Sequence, residues 1–198
     1  MGIKMEYVNG QTPLEEEEKE GLLVSTITTH GELNEFEQQN IEKAIEWTLG
    51  RKFNKEKIIS ENFVRELHGK MFGDVWNWAG KFRRTNKNLG CDLKRVSAEL
   101  KKLNDDCRYW LGNKIYPEEE IAIRYKHRAV SIRCFSNGNG QHSRLMGDII
   151  VNHIFGKKVF TWGGANLNKT GELRNNYLNA IRKADKGDLL PLIEFAKT

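Results

Sequence analysis

The sequence predicts an all-α fold with at most one or two short hairpins, and three observations carry the prediction. Apolar residues recur at intervals of three and four along most of the chain, glycines close several of these runs, and strand-like alternation is confined to short stretches. At 198 residues, with 38% hydrophobic and 30% charged side chains, the chain suits one well-filled core rather than two. It divides into an N-terminal arm, residues 1–24, and a single domain, residues 25–198.

The arm carries turn signals at Asn9-Gly10 and Thr12-Pro13, then the acidic run Glu15 to Glu18, which reads as a solvated, loosely attached face. From Glu35 to Leu49, the residues Phe36, Ile41, Ala44, Ile45 and Leu49 form a helical stripe that Gly50 stops. Ser60 is the candidate cap of a helix over Glu61 to Phe72, lined by Phe63, Val64, Leu67 and Met71 and ended by Gly73. Residues 74–92 break the pattern and predict a loop or short hairpin. A further helix spans about 95–111, with Val96, Leu100, Leu103, Cys107 and Trp110 in register. Pro117 followed by Glu118, Glu119 and Glu120 marks the next start, because proline fits the first helical position and carboxylates suit the positive helix end. That helix runs towards Ile132. Others cover about 141–154, 170–184 and 189–196, while Val159 to Trp162 reads equally as a short strand or a packed loop.

Composition excludes several classes of function. The cysteines, Cys91, Cys107 and Cys134, are odd in number and form no C-x-x-C pair, which argues against a disulfide scaffold or zinc site and for a reducing cytoplasm. The start of the chain lacks the apolar run of a signal peptide. The longest apolar-rich stretch, Leu145 to Phe155, is interrupted by Asp148, Asn152 and His153 and falls short of the about 20 residues that cross a bilayer, so no membrane partner is expected. The pI is near 9.0, but the basic residues are interspersed with acids instead of gathered in a stripe, which argues against nucleic acid as partner.

Chemistry concentrates in Ile132-Arg133-Cys134-Phe135-Ser136-Asn137-Gly138-Asn139-Gly140-Gln141-His142-Ser143-Arg144, which joins two predicted helices. An Asn-Gly-Asn-Gly turn before a helix can aim several N–H groups into one concavity, where the helix dipole and Arg144 add positive charge. Such a turn suits a phosphate. On spacing alone it is equally a helix–helix connection built from ordinary turn residues.

This segment resembles the signature of the Fic domain, H-P-F-x-[D/E/N]-G-N-G-R-x-x-R, with Phe135, Gly138, Asn139, Gly140 and Arg144 matching in place. The stretch from Leu67-His68-Gly69 through Val75-Trp76-Asn77-Trp78-Ala79-Gly80 to Arg83 is similar to the segment leading into that family's target-docking flap. Thr161-Trp162-Gly163 and Ala184-Asp185-Lys186-Gly187-Asp188 resemble the branch called mobile mystery protein B, found with mobile genetic elements. The resemblance runs from about residue 28 to the end. It implies a helical Fic-type fold with a short β-hairpin flap, and transfer of AMP from ATP, or from another nucleotide its monophosphate, to a hydroxyl of an unidentified target protein. It also implies that Gly138, Asn139, Gly140, Gln141 and Arg144 hold the nucleotide with Phe135, that Asn137 stands at the Mg²⁺ position, and that Arg133 stands where the family's general base, a histidine, belongs.

The departures bear on activity. Arg133 replaces the histidine, Cys134 the following proline, and Gln141 the first motif arginine. A guanidinium offers donors only and stays protonated at neutral pH, so Arg133 cannot accept the proton of an attacking hydroxyl. Asn137 can bind Mg²⁺ through its amide oxygen, without charge attraction. Impaired catalysis is therefore expected, and the alternative is a non-catalytic nucleotide- or protein-binding pseudoenzyme of a mobile-element or toxin–antitoxin module. No other histidine is an evident substitute. His127 lies roughly 9 Å along the helix axis from Arg133 and about 120° around it; His142 reads as a polar surface residue; His68 and His153 sit among apolar positions as structural residues.

Two further elements follow from the resemblance. Thr28-Thr29-His30-Gly31-Glu32-Leu33-Asn34 resembles the family's inhibitory helix, with Glu32 as partner of Arg144, although Leu33 departs from the pattern; the same residues also read as a capped helix start, with Asn34 and Glu37 as a capping box. Lys81 to Asn88 resembles the docking flap, with Asn86, Lys87 and Asn88 as contact residues for an extended target segment added by strand pairing; a solvated basic loop is the plainer reading.

Overall fold

A computed structural model describes residues 13–164, 167 and 171–198; the expected turn at Asn9-Gly10, Thr12 and the expected helix start at Thr170 lie outside them. Among the described residues the chain forms α1 (Glu16–Lys19), α2 (His30–Leu49), α3 (Lys55–Ile58), α4 (Glu61–Phe72), α5 (Val96–Asn113), α6 (Glu118–Ile132), α7 (Asn139–Ile149), α8 (Glu172–Asp185) and α9 (Leu190–Lys197). A π-helical turn, Ile150–Ile154, extends α7, so the single helix expected over 141–154 changes its winding near its end. Helix α6 is central: α5, α7 and α9 pack against it, while α2 lies on α4 and α4 meets α7. Trp76, Tyr125, Phe63, Phe72 and Phe135 are the largest fully buried aromatic side chains of the core. None of the helices of the described residues is long and apolar enough to cross a membrane.

Helix α2 starts at His30 rather than Glu35. Thr29 Oγ1 accepts the Glu32 N–H at 3.2 Å, and the Glu32 carboxylate accepts the N–H groups of Thr28 at 2.8 Å and Thr29 at 3.0 Å. This is a capping box five positions earlier in the chain than Asn34 and Glu37 would give. Glu37 instead accepts the Trp76 indole N–H at 2.7 Å.

The arm is docked over its described part, contrary to the loose attachment its acidic run suggests. Leu14 is buried, the Leu23 N–H reaches the Val75 carbonyl at 2.9 Å, and the Asn77 N–H reaches the Gly21 carbonyl at 2.9 Å. Glu18 pairs with Lys87 and accepts the Thr85 hydroxyl at 3.3 Å, so this carboxylate is not on a solvated face.

The hairpin is not seen. Residues 81–92 form no strand, and the only β-bridge among the described residues is an isolated antiparallel one between Leu22 and Trp76. Arg83 explains this locally. Its buried guanidinium donates to the carbonyls of Arg133 (2.7 Å), Thr85 (2.7 Å) and Cys91, taking acceptors that a strand ladder within the flap would need. Asn86 adds a side-chain bond to the Leu93 N–H at 2.7 Å. Val159 to Trp162 is likewise a packed loop, with Thr161 N–H on the Ala196 carbonyl at 3.0 Å.

Candidate functional site

Helix α6 ends at a left-handed residue. Arg133, at φ 53° and ψ 69°, caps it by giving its N–H to the Ala129 carbonyl at 3.2 Å. The turn that follows folds on the side chain of Asn139, whose amide accepts the Phe135 N–H at 3.0 Å and donates to the Phe135 carbonyl at 2.8 Å. The Asn139 side chain thus fixes the shape of the loop. Gly138, at φ 72°, then opens α7. The first helical main-chain bond runs from His142 N–H to the Gly138 carbonyl at 2.9 Å, so the N–H groups of Asn139, Gly140 and Gln141 precede it.

Helix α4 holds the turn from below. Gly80 N–H donates to His68 Nδ1 at 3.0 Å, which puts the His68 proton on Nε2, where it meets the Asn137 carbonyl at 3.1 Å. The imidazole stacks on Phe135 with centroids 3.7 Å apart. Burial first, and His142 nearby, hold His68 well below the usual histidine range, so it is a neutral positioning residue. His142 corrects its sequence reading: it is buried with Nε2 bonded to the Val64 carbonyl at 2.9 Å, and burial lowers it to about 4. His127 pairs with Asp185 at 2.8 Å, and His153 rests against Phe53.

Above the turn lies a cavity of about 310 Å³. Arg133, Asn137, Gly138, Asn139, Gly140, Gln141 and Arg144 all line it. The flap contributes Leu89 and Gly90, and α8 contributes Asp185 together with Arg174 and Tyr177, the last two being residues to which no sequence motif points. Gly90 approaches so closely that a side-chain Cβ there would sit 3.0 Å from Arg133 Cβ. Three guanidinium groups therefore face one carboxylate, Asp185, around a helix N-terminus. Phe135 lies beneath the turn, buried, and does not reach the cavity wall.

The donor set fits a polyphosphate. Its fit to Mg²⁺ is thinner: Asn137 Oδ1, the neutral oxygen expected to take the ion, already accepts the Gly138 N–H at 2.7 Å, and no cluster of metal-ligating side chains occurs among the described residues. Glu32 is bonded to Thr28 and Thr29 at its own helix start, and no ion pair with Arg144 occurs among the described residues. Of the flap residues, Lys87 has a buried side chain against Glu18, while Asn86, bonded to the Leu93 N–H, and Asn88 are both exposed.

A profile of the Fic/DOC family matches residues 58–151. The protein adenylyltransferase Fic of Aedes aegypti is 24% identical over 159 residues, which cover 78% of this chain and 30% of that protein. The chain spans about a third of the length of such curated relatives. Among solved structures, a Fic-1 fragment from C. elegans superposes with TM-score 0.65 at 22% identity, covering 90% of this chain and 51% of that one. The BepC protein of Bartonella tribocorum, solved with bound AMPPNP, superposes with TM-score 0.68 at 14% identity, covering 92% and 97%.

Proposed function

The chain carries a domain of the Fic/DOC family, matched over residues 58–151, and from that premise we propose that its cavity binds ATP and passes AMP slowly to a hydroxyl of a protein. The observation that carries this reading is the turn at Gly138 opening onto α7 inside a wall of three guanidinium groups. Main-chain N–H groups at a helix start, with fixed cations around them, favour a chain of phosphates. Arg144 would take the terminal phosphate and the Gly138–Gln141 turn the inner ones. Mg²⁺, held mainly by the phosphates, would find the Asn137 amide oxygen from the protein. The exposed flap residues Asn88 and Leu89 lie where an extended target segment could pass, with Lys87 serving the flap's own structure.

Transfer is slow in this reading because Arg133 occupies the place of the proton acceptor. Burial lowers its proton affinity somewhat, and yet a guanidinium remains a donor across the physiological range. Losing general-base catalysis removes roughly 10² to 10⁴-fold in rate. The same observation favours a second reading, a nucleotide- or protein-binding pseudoenzyme without transfer activity, acting in the cytoplasm within a mobile-element or toxin–antitoxin module, as the branch resemblance suggests.

Purified protein and Arg133→His, incubated with α-labelled ATP, Mg²⁺ and cell lysate, separate the two. Weak labelling that rises at least about tenfold in Arg133→His supports slow transfer. Labelling by Arg133→His alone supports the pseudoenzyme. Calorimetry should detect ATP with the natural chain and lose about tenfold or more in affinity with Arg144→Ala. No ATP binding by any of the three proteins would remove slow transfer and the nucleotide-binding form of the pseudoenzyme, leaving only its protein-binding form.

A further inference from the structure

Lys126 is buried in α6 with 0% of its surface exposed, and among the described residues its Nζ makes no hydrogen bond of good geometry. A buried ammonium is costly, and burial lowers the proton affinity of Lys126, while Tyr177 and Asp185 beside it act in the opposite sense and favour its charged form. The group against it is Tyr177 of α8: Nζ lies 4.7 Å from the ring centroid, and the Arg144 guanidinium of α7 lies 5.6 Å from the same centroid. Arg133 at the end of α6 and Arg174 one turn back on α8 also act on this ring electrostatically. Asp185, bonded to His127, is the opposing carboxylate on the cavity wall, and α9 presents the apolar ring of Phe195 at 5.4 Å. Tyr177 itself lines the cavity.

We propose that Tyr177 is a catalytic residue of this site, its phenolic oxygen taking the proton of the incoming hydroxyl in place of the base that Arg133 cannot be. The proposal rests on the transfer reading above. In the step, the hydroxyl O–H breaks and its proton passes to the Tyr177 phenolate. The freed oxygen bonds to the α-phosphorus, and the bond from that phosphorus to the bridging oxygen breaks, its electron pair leaving with pyrophosphate. Tyr177 then returns the proton to water. Burial alone would push the phenol up, but Lys126 and Arg144 beside it overrule that and bring it down to about 8. A base poised near the working pH is the one that serves proton transfer best.

The test uses the full chain as the natural protein, Tyr177→Phe, Lys126→Met and Arg133→His, followed from pH 6 to 9.5 by phenolate absorbance, ATP calorimetry and transfer of label from α-labelled ATP to lysate proteins. The natural chain should show one tyrosine titrating near pH 8 and transfer that rises through the same midpoint. Tyr177→Phe, which keeps the ring, should bind ATP within about threefold yet lose transfer by about 10²-fold or more. Lys126→Met should move both midpoints upward together. A transfer profile flat across pH 8, equal transfer by Tyr177→Phe, or a natural chain silent while Arg133→His transfers would each overturn the role of Tyr177 and leave the family activity standing. Absence of transfer by Arg133→His as well would sink the transfer reading itself, and the proposal with it.

Discussion

Gly138 rests on the ring of Phe72, so closely that a Cβ added to the glycine would stand 2.5 Å from two of the ring carbons. The contact joins the start of α7 to the end of α4, and the glycine's φ of 72° is a conformation that side chains resist. Gly138→Ala therefore meets two costs at once, a clash with a core aromatic and a left-handed backbone. We expect a loss of about 2–4 kcal/mol in denaturant-induced unfolding and no measurable ATP binding, because the turn moves before the ring can. Phe72→Leu in the same chain should restore part of the stability, and failure of that rescue would mean that the ring is not the obstacle.

His68 acts one layer below the cavity. It accepts from Gly80 and donates to Asn137, joining the segment before the flap to the turn through one neutral ring. His68→Phe keeps the stacking on Phe135 and leaves the Asn137 carbonyl and the Gly80 N–H without a partner. The expected destabilisation is about 2–4 kcal/mol, from two buried groups losing their bonds, accompanied by weaker ATP binding. An unfolding midpoint equal to that of the natural chain would show that water replaces both bonds.

The helices were legible because their cores obey a spacing rule, as in α4, where Ser60, Phe63, Val64, Leu67 and Gly73 all stand where a capped amphipathic helix requires them. The turn from Gly138 to Arg144 was legible as a turn before a helix, and only the resemblance to a family signature singled it out from an ordinary helix–helix connection. Residues meeting through the tertiary fold were not legible. Lys126 reads as a polar helical position and is buried only because α6, α7 and α8 converge on it; Tyr177 joins the cavity for the same reason. At the flap the resemblance misled where the residues did not: the hairpin it implies is absent, and the buried Arg83 fixes the stretch as a loop by binding its carbonyls. His142 follows Gln141 into the helix and turns inward to the Val64 carbonyl, a partner 78 residues away in sequence.

Glu18 and Lys87 tie the arm to the flap with side chains only 11% and 2% exposed. Removing one member of a buried pair leaves the other charge without compensation, so Lys87→Met should destabilise the fold by roughly 3–5 kcal/mol, and adding Glu18→Gln should recover a part. Burial pushes the Glu18 carboxyl up, but Lys87, the Glu15 N–H and Ser136 together bring it below its ordinary 4.5. The stability from this pair is therefore full above about pH 4.5 and is lost as the pH falls through the lowered native value. Thermal melts of the natural chain and Lys87→Met should converge on acidification below that point, and parallel melts down to pH 3 would contradict the pairing.

Glu37 titrates in the opposite sense. Burial raises its carboxyl to about 7 from an ordinary 4.5, only partly offset by the Trp76 indole N–H, so the folded chain retains a proton that the unfolded chain has released. By linkage, this group lowers stability progressively as the pH rises from 4.5 to about 7, and its cost is complete above that range. Glu37→Gln keeps an acceptor for the indole and removes the titration. The variant should match the natural chain at pH 4 and exceed it at pH 8 by up to roughly 3 kcal/mol, the free energy equivalent of the shift from 4.5 to about 7. Asp148 supplies the contrast. Burial raises it to about 7 as well, yet both its oxygens accept the Trp162 indole N–H, Oδ1 at 3.0 Å and Oδ2 at 3.1 Å, and Oδ1 also accepts the Phe160 N–H at 3.2 Å, bonds that fix the loop after α7. An amide there can keep only one oxygen in place and must turn its NH₂ towards a donor, so Asp148→Asn should bring a smaller gain at pH 8 or none. Equal gains for the two substitutions would show that desolvation alone, without the donors' geometry, sets the pH dependence of this fold.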